Sequence, residues 1–179
     1  MSITNSFLAW KLVDLLSTEF TDWEAFSFGI IDEDGNTLKK PRTADEKDSF
    51  GMFHRAVRKI KQIINKFMGA SRASAILSTL YLMKESVDDV TINVFLNEIK
   101  TLYPDIKKSI NRHLVESAYG FNDNILKPGK YYLDFVDGEE KIVITEDTKP
   151  IDSFYGFDVY EVEGIVFMKD QIRRVIERS

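Results

Sequence analysis

Between Thr43 and Gly69 the apolar residues recur as they do along one side of a helix. Phe50, Phe53, Val57, Ile60, Ile64 and Phe67 stand three or four positions apart, the seam of an amphipathic helix with one buried face. Thr43 with Glu46 has capping-box spacing, and Gly69 stands where a left-handed residue ends a helix. The pattern predicts one continuous helix over 43–69 around which the rest of the chain is organised. Arg55, Lys59, Gln62 and Lys66 lie opposite the seam, with Arg58, Lys61 and His54 flanking it, so its outer surface is expected to be basic.

The neighbouring patterns fill in a bundle. Ser2–Ser17 reads as a first helix with Phe7, Leu8, Leu12, Leu15 and Leu16 on one face, capped by Ser2, Thr4 or Asn5 and expected to pack on the basic helix. Thr21–Glu24 repeats capping-box spacing and should carry Trp23 and Phe26 inward before Gly29. Ile30-Ile31 and Thr37-Leu38 flank a turn-rich Asp32–Asn36, which predicts a small hairpin. Ala73–Lys84 is apolar almost all round and reads as a central buried helix. Thr91 is the expected cap of a helix through Tyr103 that buries Val94, Phe95, Ile99 and Leu102. Pro104 breaks it, and Asp105–Glu116 follows with Ile106, Ile110, Leu114 and Val115 inward.

From Tyr119 the period changes to that of strands. Lys127–Lys130 is a turn, and Tyr131, Leu133 and Phe135 alternate with Tyr132, Asp134 and Val136. Asp137-Gly138 should close a hairpin onto Lys141–Thr145, and Glu163-Gly164 a second one between Phe157–Glu163 and Ile165–Met168. Asp170 then caps an expected terminal helix, apolar at Ile172, Val175 and Ile176 and basic at Arg173, Arg174 and Arg178. The expected class is α+β: an N-terminal helical bundle with a small hairpin, then a small antiparallel sheet or partial barrel and a C-terminal helix. The expected division is a helical domain over 1–118 and a β-rich domain over 119–179, able to share one core, with the bundle folding first.

Composition narrows the function classes. With 44% hydrophobic and 30% charged residues in 179, the chain has ordinary globular make-up. It has no cysteine, which removes disulfides, thiolate metal sites and cysteine nucleophiles together. Lys11, Asp14 and Glu19 interrupt the first apolar stretch without a basic leader or cleavage site, so no signal peptide is expected, and no run is long enough to span a bilayer. A soluble protein, neither secreted nor in a membrane, is the expectation. Net charge is −5, yet Lys39–Arg72 holds ten Lys/Arg against three Asp/Glu, a local +7 that leaves −12 for the remainder. Such asymmetry steers a basic surface toward phosphate or an acidic protein.

Candidate chemistry is sparse. No phosphate-binding loop, dinucleotide fingerprint, zinc-protease helix or nucleophile elbow occurs. His54 and His113, the only histidines, sit on charged helical stretches that suit a solvated or capping role, and Asp88-Asp89 and Glu139-Glu140 read as solvated loop charge. Asp32, Asp34 and Asn36 alternate like calcium ligands, but placing Gly35 at the sixth position of an EF-hand puts Ile30 first and Pro41 twelfth, where a glutamate is needed. No metal, no cofactor and no enzymatic activity are expected. What remains is the basic surface of Lys39, Lys40, Arg42, Arg55, Arg58, Lys59, Lys61 and Lys66. With no base-reading element beside it, it suits an acidic protein or the backbone of a nucleic acid.

The block from Phe7 to Phe67 carries a resemblance. After an aromatic-rich first helix come Trp23, Ala25 and Phe26, then Gly29-Ile30-Ile31-Asp32 with Asp34-Gly35 and Leu38-Lys39-Lys40. A helix with Phe53, Arg55, Val57-Arg58, Ile60-Lys61 and Ile63-Ile64 comes next. This resembles a segment of uncharacterised virion-associated proteins of tailed bacteriophages, over about a third of the chain. The later "LKPGKYYL" and "FDVYEVEGIVFMKDQI" look like the small barrel or sheet appended in such proteins. The resemblance implies a structural or accessory phage protein without catalytic residues, located in the virion or the host cytoplasm. Its implied partners are other virion or assembly proteins, copies of itself included.

Overall fold

A computed structural model describes residues 3–118, 124–135 and 138–174. Among them seven helices precede six strands in two small antiparallel sheets, an α+β architecture. The chain divides into two compact units, Met1–Asn65 with Met83–Leu102 and Lys66–Leu82 with Tyr103–Ser179. This interleaved division differs from the one expected near residue 118. The helices Gly69–Met83 (α5) and Pro104–Ala118 (α7) fall with the strands.

In the first unit, α1 (Ile3–Ser17) buries Ala9, Leu12 and Leu16. It packs chiefly on α6 (Asp89–Leu102), where Thr91 Oγ1 donates to Asn5 Oδ1 at 3.2 Å, rather than on the basic helix. Because Asn5, Ala9, Leu12 and Leu16 form the inward stripe, Phe7 and Trp10 fall outside it, 55% and 62% exposed. A 3-10 turn at Phe20–Asp22 and α2 (Glu24–Ser27) bury Phe20, Trp23 and Ala25. The expected hairpin is present in miniature: Ile31 bridges Thr37, and Leu38 N–H donates to the Ile30 carbonyl at 2.7 Å. Asp32 closes the turn on itself, its Oδ1 accepting from the N–H groups of Asp34 (3.0 Å) and Asn36 (2.7 Å) and its Oδ2 from Asn36 Nδ2 at 3.0 Å.

The organising stretch is two helices, not one. Ala44–Ser49 (α3) carries the expected capping box, Glu46 N–H donating to Thr43 Oγ1 and Thr43 N–H to Glu46 Oε2. It stops at Phe50, whose ψ of 48° leaves the helical range. Met52–Lys66 (α4) then starts anew. The break sits on the non-helical backbone of Phe50, which an unbroken three-four spacing hides. Within α4 the seam is real: Val57, Ile60 and Ile64 are buried and Phe53 meets Phe95 with ring centroids 5.6 Å apart. Gly69 has the expected positive φ, +61°, but opens α5 instead of ending α4. On α6 the cap is Asp88, whose Oδ1 accepts from Thr91 N–H at 2.7 Å. The face it buries is Ile92, Phe95, Leu96 and Ile99, with Val94 and Leu102 half-buried.

In the second unit α5 is buried all round from Ala73 to Leu80, as its composition requires. On α7, Ile106 and Ile110 are buried while Leu114 and Val115 are exposed. One sheet has the order β2 (Gly138–Ile144), β1 (Gly129–Phe135), β6 (Ile172–Arg174). The other runs β3 (Asp152–Phe154), β4 (Phe157–Val162), β5 (Ile165–Met168). Inward residues of both sheets, among them Leu133, Ile142, Tyr160 and Phe167, share one apolar cluster. The Glu163-Gly164 turn has both φ angles positive, +54° and +80°, which matches the twist of a two-residue hairpin. Tyr155-Gly156, at +49° and +79°, makes a second such turn that leads from β3, a strand the sequence pattern does not announce. Strand β1 pairs β2 from Gly129↔Ile144 to Phe135↔Gly138, while Val136 and Asp137 of the expected turn lie outside the described residues.

The expected terminal helix is not formed at its start. Lys169–Gln171 is a 3-10 turn and Ile172–Arg174 is strand β6, antiparallel to β1 in the register Tyr132↔Arg173. Strand β1 has an edge to cover, and Ile172 in that strand packs against the apolar cluster. Arg173 then lies over the Tyr132 ring at 4.8 Å and pairs with Asp134 and Glu139. Val175, Ile176 and Arg178 lie outside the described residues.

Candidate functional site

The eight cations expected to form one basic surface are distributed by what each must satisfy. Lys61 is buried, its Nζ donating to the Leu16 carbonyl at 2.9 Å and lying 5.5 Å from the Phe20 ring centre. Leu16 is in the last turn of α1, where carbonyls lack helical partners and the dipole favours a cation. Burial lowers the Lys61 ammonium pKa and the charge of Glu19 opposes that shift. Half-buried Arg58 donates from a terminal nitrogen to the Gly35 carbonyl at 2.9 Å, and buried Gln62 donates to the Asp34 carbonyl at 3.1 Å. These residues clamp the acidic turn onto α4, so they are not on its outer surface. Lys39 pairs with Glu46 at 2.7 Å, Lys66 donates to the Phe135 carbonyl at 2.7 Å, and Lys59 is half-buried.

Lys40, Arg42 and Arg55 remain exposed, their side chains making no ion pair or hydrogen bond among the described residues. Two of them converge. Lys40 and Arg55 line a cleft of about 640 Å³ with Lys47, a residue that the helical period does not single out, against Thr37, Pro41, Phe50 and Gly51. No Asp or Glu lines it. The break at Phe50-Gly51 builds this cleft, because it ends α3 after Lys47 and starts α4 before Arg55. Of the two carboxylates that flank Lys47 in sequence, Glu46 and Asp48, Glu46 is occupied elsewhere: hydrogen bonds from Lys39 first, then from the N–H groups of Arg42 and Thr43, hold its pKa down to about 2.

A second cleft, of about 520 Å³, lies within the strand-bearing unit around His113, with Asp158, Lys169 and Asp170. His113 stacks on Phe157 at 3.7 Å and 13°, with Nε2 3.2 Å from the Gly156 carbonyl and Nδ1 3.9 Å from Asp170 Oδ2. Asp170 Oδ2 accepts from Ser74 Oγ at 3.0 Å. Burial raises the Asp158 carboxyl pKa against the lowering charges of His113 and Lys169. His113 is therefore packed in place, not solvated. Its stacking holds α7 on β4, a role that the helical period cannot reveal.

No family model, curated protein or solved structure matches this chain. Geometry alone therefore ranks the two clefts. The His113 cleft holds acids and bases that already serve the packing of α7, α5 and the 3-10 turn. The cleft of Lys40, Lys47 and Arg55 holds unneutralised charge of one sign. No described helix is long and apolar enough to cross a membrane.

The other histidine makes the first unit sensitive to acid. His54 is buried on α4, and desolvation, with a smaller push from the Lys11 charge, takes its pKa from 6.5 to about 4. A depressed histidine pKa means that the unfolded chain binds the proton first. The stability it contributes is complete above pH 6.5 and is lost as pH falls toward about 4. Denaturant titrations across that window should show a loss on the order of 2 kcal/mol, after allowing for partial solvent access. His54→Gln should flatten the slope there, leaving only the carboxylate losses, Glu46 among them, at lower pH. An unchanged slope in the variant would mean that His54 is hydrated in the folded protein.

Proposed function

We propose that this chain is a non-enzymatic docking protein of a tailed-phage virion or its assembly pathway, which holds an acidic segment of a larger protein assembly in the cleft of Lys40, Lys47 and Arg55. The observation that carries this reading is the cleft itself: three cations, no lining carboxylate, and no partner within the described chain for any of them. A concave site with uncompensated charge attracts its complement and is incomplete without it. The resemblance of residues 7–67 to virion-associated proteins supplies the phage setting, with partners in the virion or host cytoplasm that include further copies of the chain.

The same charge favours a second reading, contact with nucleic-acid phosphates. Lys39, Arg58, Lys61 and Lys66 are engaged internally. Lys40, Lys47 and Arg55 share one cleft instead of lining a track along a strand, which is why the acidic-protein reading stands first.

Charge reversal at Lys40, Lys47 and Arg55 together tests both. Each residue is exposed, so folding stability should change by less than about 0.5 kcal/mol per site. Incorporation into the native assembly should drop sharply. For nucleic acid, three phosphate contacts would give log affinity against log salt a slope of about −2 to −3. A folded triple variant that still enters its assembly at wild-type stoichiometry would remove the docking reading, and a steep salt slope on DNA that the variant abolishes would promote the second.

A further inference from the structure

Given the docking reading, on which this inference rests, the chemistry of the cleft specifies more than the sign of its occupant. Its three cations differ. Lys40 and Lys47 end in point charges on flexible stems, whereas Arg55 presents a planar fork that matches a carboxylate edge to edge through two parallel N–H donors. Arg55 also projects from α4, a helix anchored by its buried seam of Val57, Ile60 and Ile64, while Lys40 lies in the connection before α3. The fork is therefore the better-positioned of the charges. The cleft is not only charged, since Pro41 and Phe50 line it between residues whose long aliphatic stems are themselves apolar.

We infer that the docked segment carries an acidic residue gripped side-on by Arg55, a second acidic residue held loosely by Lys40 and Lys47, and one bulky aliphatic side chain beside them that covers Pro41. Charge complementarity fixes the acids, because the cleft has no carboxylate of its own to neutralise three cations. The apolar strip fixes the third element. A purely polar occupant would leave Pro41 and the lysine stems hydrated, whereas a leucine-sized group would remove them from water. Inorganic phosphate or a nucleic-acid backbone satisfies the charges and lacks the aliphatic group.

Synthetic peptides titrated against the full chain separate these occupants. The probes are an acidic peptide with a central leucine, the same peptide with glycine there, and inorganic pyrophosphate. The leucine peptide should bind about tenfold more tightly than the glycine peptide, the worth of burying roughly half a leucine side chain. Arg55→Lys, which keeps the charge, should weaken the leucine peptide several-fold, while Lys47→Arg should leave it unchanged. Equal binding of the two peptides would overturn the aliphatic subsite, and equal binding by Arg55→Lys would overturn the side-on grip, without touching the docking reading. Pyrophosphate binding more tightly than both peptides would overturn the inference and the docking reading together. Absence of binding by all three probes to a chain that still enters its assembly would overturn the inference alone.

Discussion

Ile60→Asp is expected to unfold the first unit. Ile60 has no exposed surface and sits at the middle of the α4 seam, between Val57 and Ile64. A carboxylate there either stays ionised without a partner or takes up a proton that costs free energy at neutral pH, and in both cases the apolar contacts of isoleucine are lost. The sum is about 4 kcal/mol or more, a large part of the roughly 5–15 kcal/mol that holds a domain of ordinary stability together. Circular dichroism should show reduced helix content and a lowered or vanished thermal transition. Arg55→Asp, on the exposed side of the same helix, should leave the transition nearly in place. If both variants melted like the wild type, the seam would have to face solvent.

Gly35→Val is expected to be the next most damaging single change, at about 3 kcal/mol. Gly35 has φ +81°, where a β-branched residue is strained, and a Cβ there would stand 2.6 Å from Cζ of Phe20. Phe20 has little room to move, because its ring packs edge-on to Trp23 at 5.1 Å and lies under Lys61. The Gly35 carbonyl is also the acceptor for Arg58, so displacing the turn removes a partner from a half-buried guanidinium. Pairing Gly35→Val with Phe20→Leu should restore part of the loss, since it relieves the collision and leaves the backbone strain. A single variant as stable as wild type would show that the turn does not pack on Phe20.

Those two positions illustrate what the sequence could and could not disclose. The Ile60 seam is a matter of period, and period is local: three-four spacing sets which side of a helix is apolar whatever the helix meets. The same arithmetic places Lys61 and Arg58 beside the seam and assigns them to solvent, because a side chain's angle on the helix says nothing of an acceptor carbonyl waiting at a helix end or in a turn elsewhere. Leu16 and Gly35 supply those carbonyls from far along the chain. Lys40 and Arg55 were legible as exposed cations. Their convergence with Lys47 was not, since it depends on a break at Phe50-Gly51 that the regular spacing conceals. Strand β6 shows the opposite failure: Ile172–Arg174 follows a good capping residue and begins a helical apolar spacing in the sequence, and the edge of β1 overrides both.

The interleaving of the two units bears on the order in which a ribosome delivers them. The first unit needs α6, so it cannot close until Leu102 has emerged, although most of its residues precede Asn65 by then. During that interval α5 is already synthesised and belongs elsewhere: its Ser74 and Ser78 await Asp170 and Gln171, 96 and 93 residues further on. A nascent chain therefore carries a helix that is buried from Ala73 to Leu80 in the finished protein, without its partners until Gln171 has been made. A fragment ending at residue 118 would keep that helix permanently unsheltered, and such a fragment should be caught by holdase chaperones or precipitate more readily than the 179-residue chain.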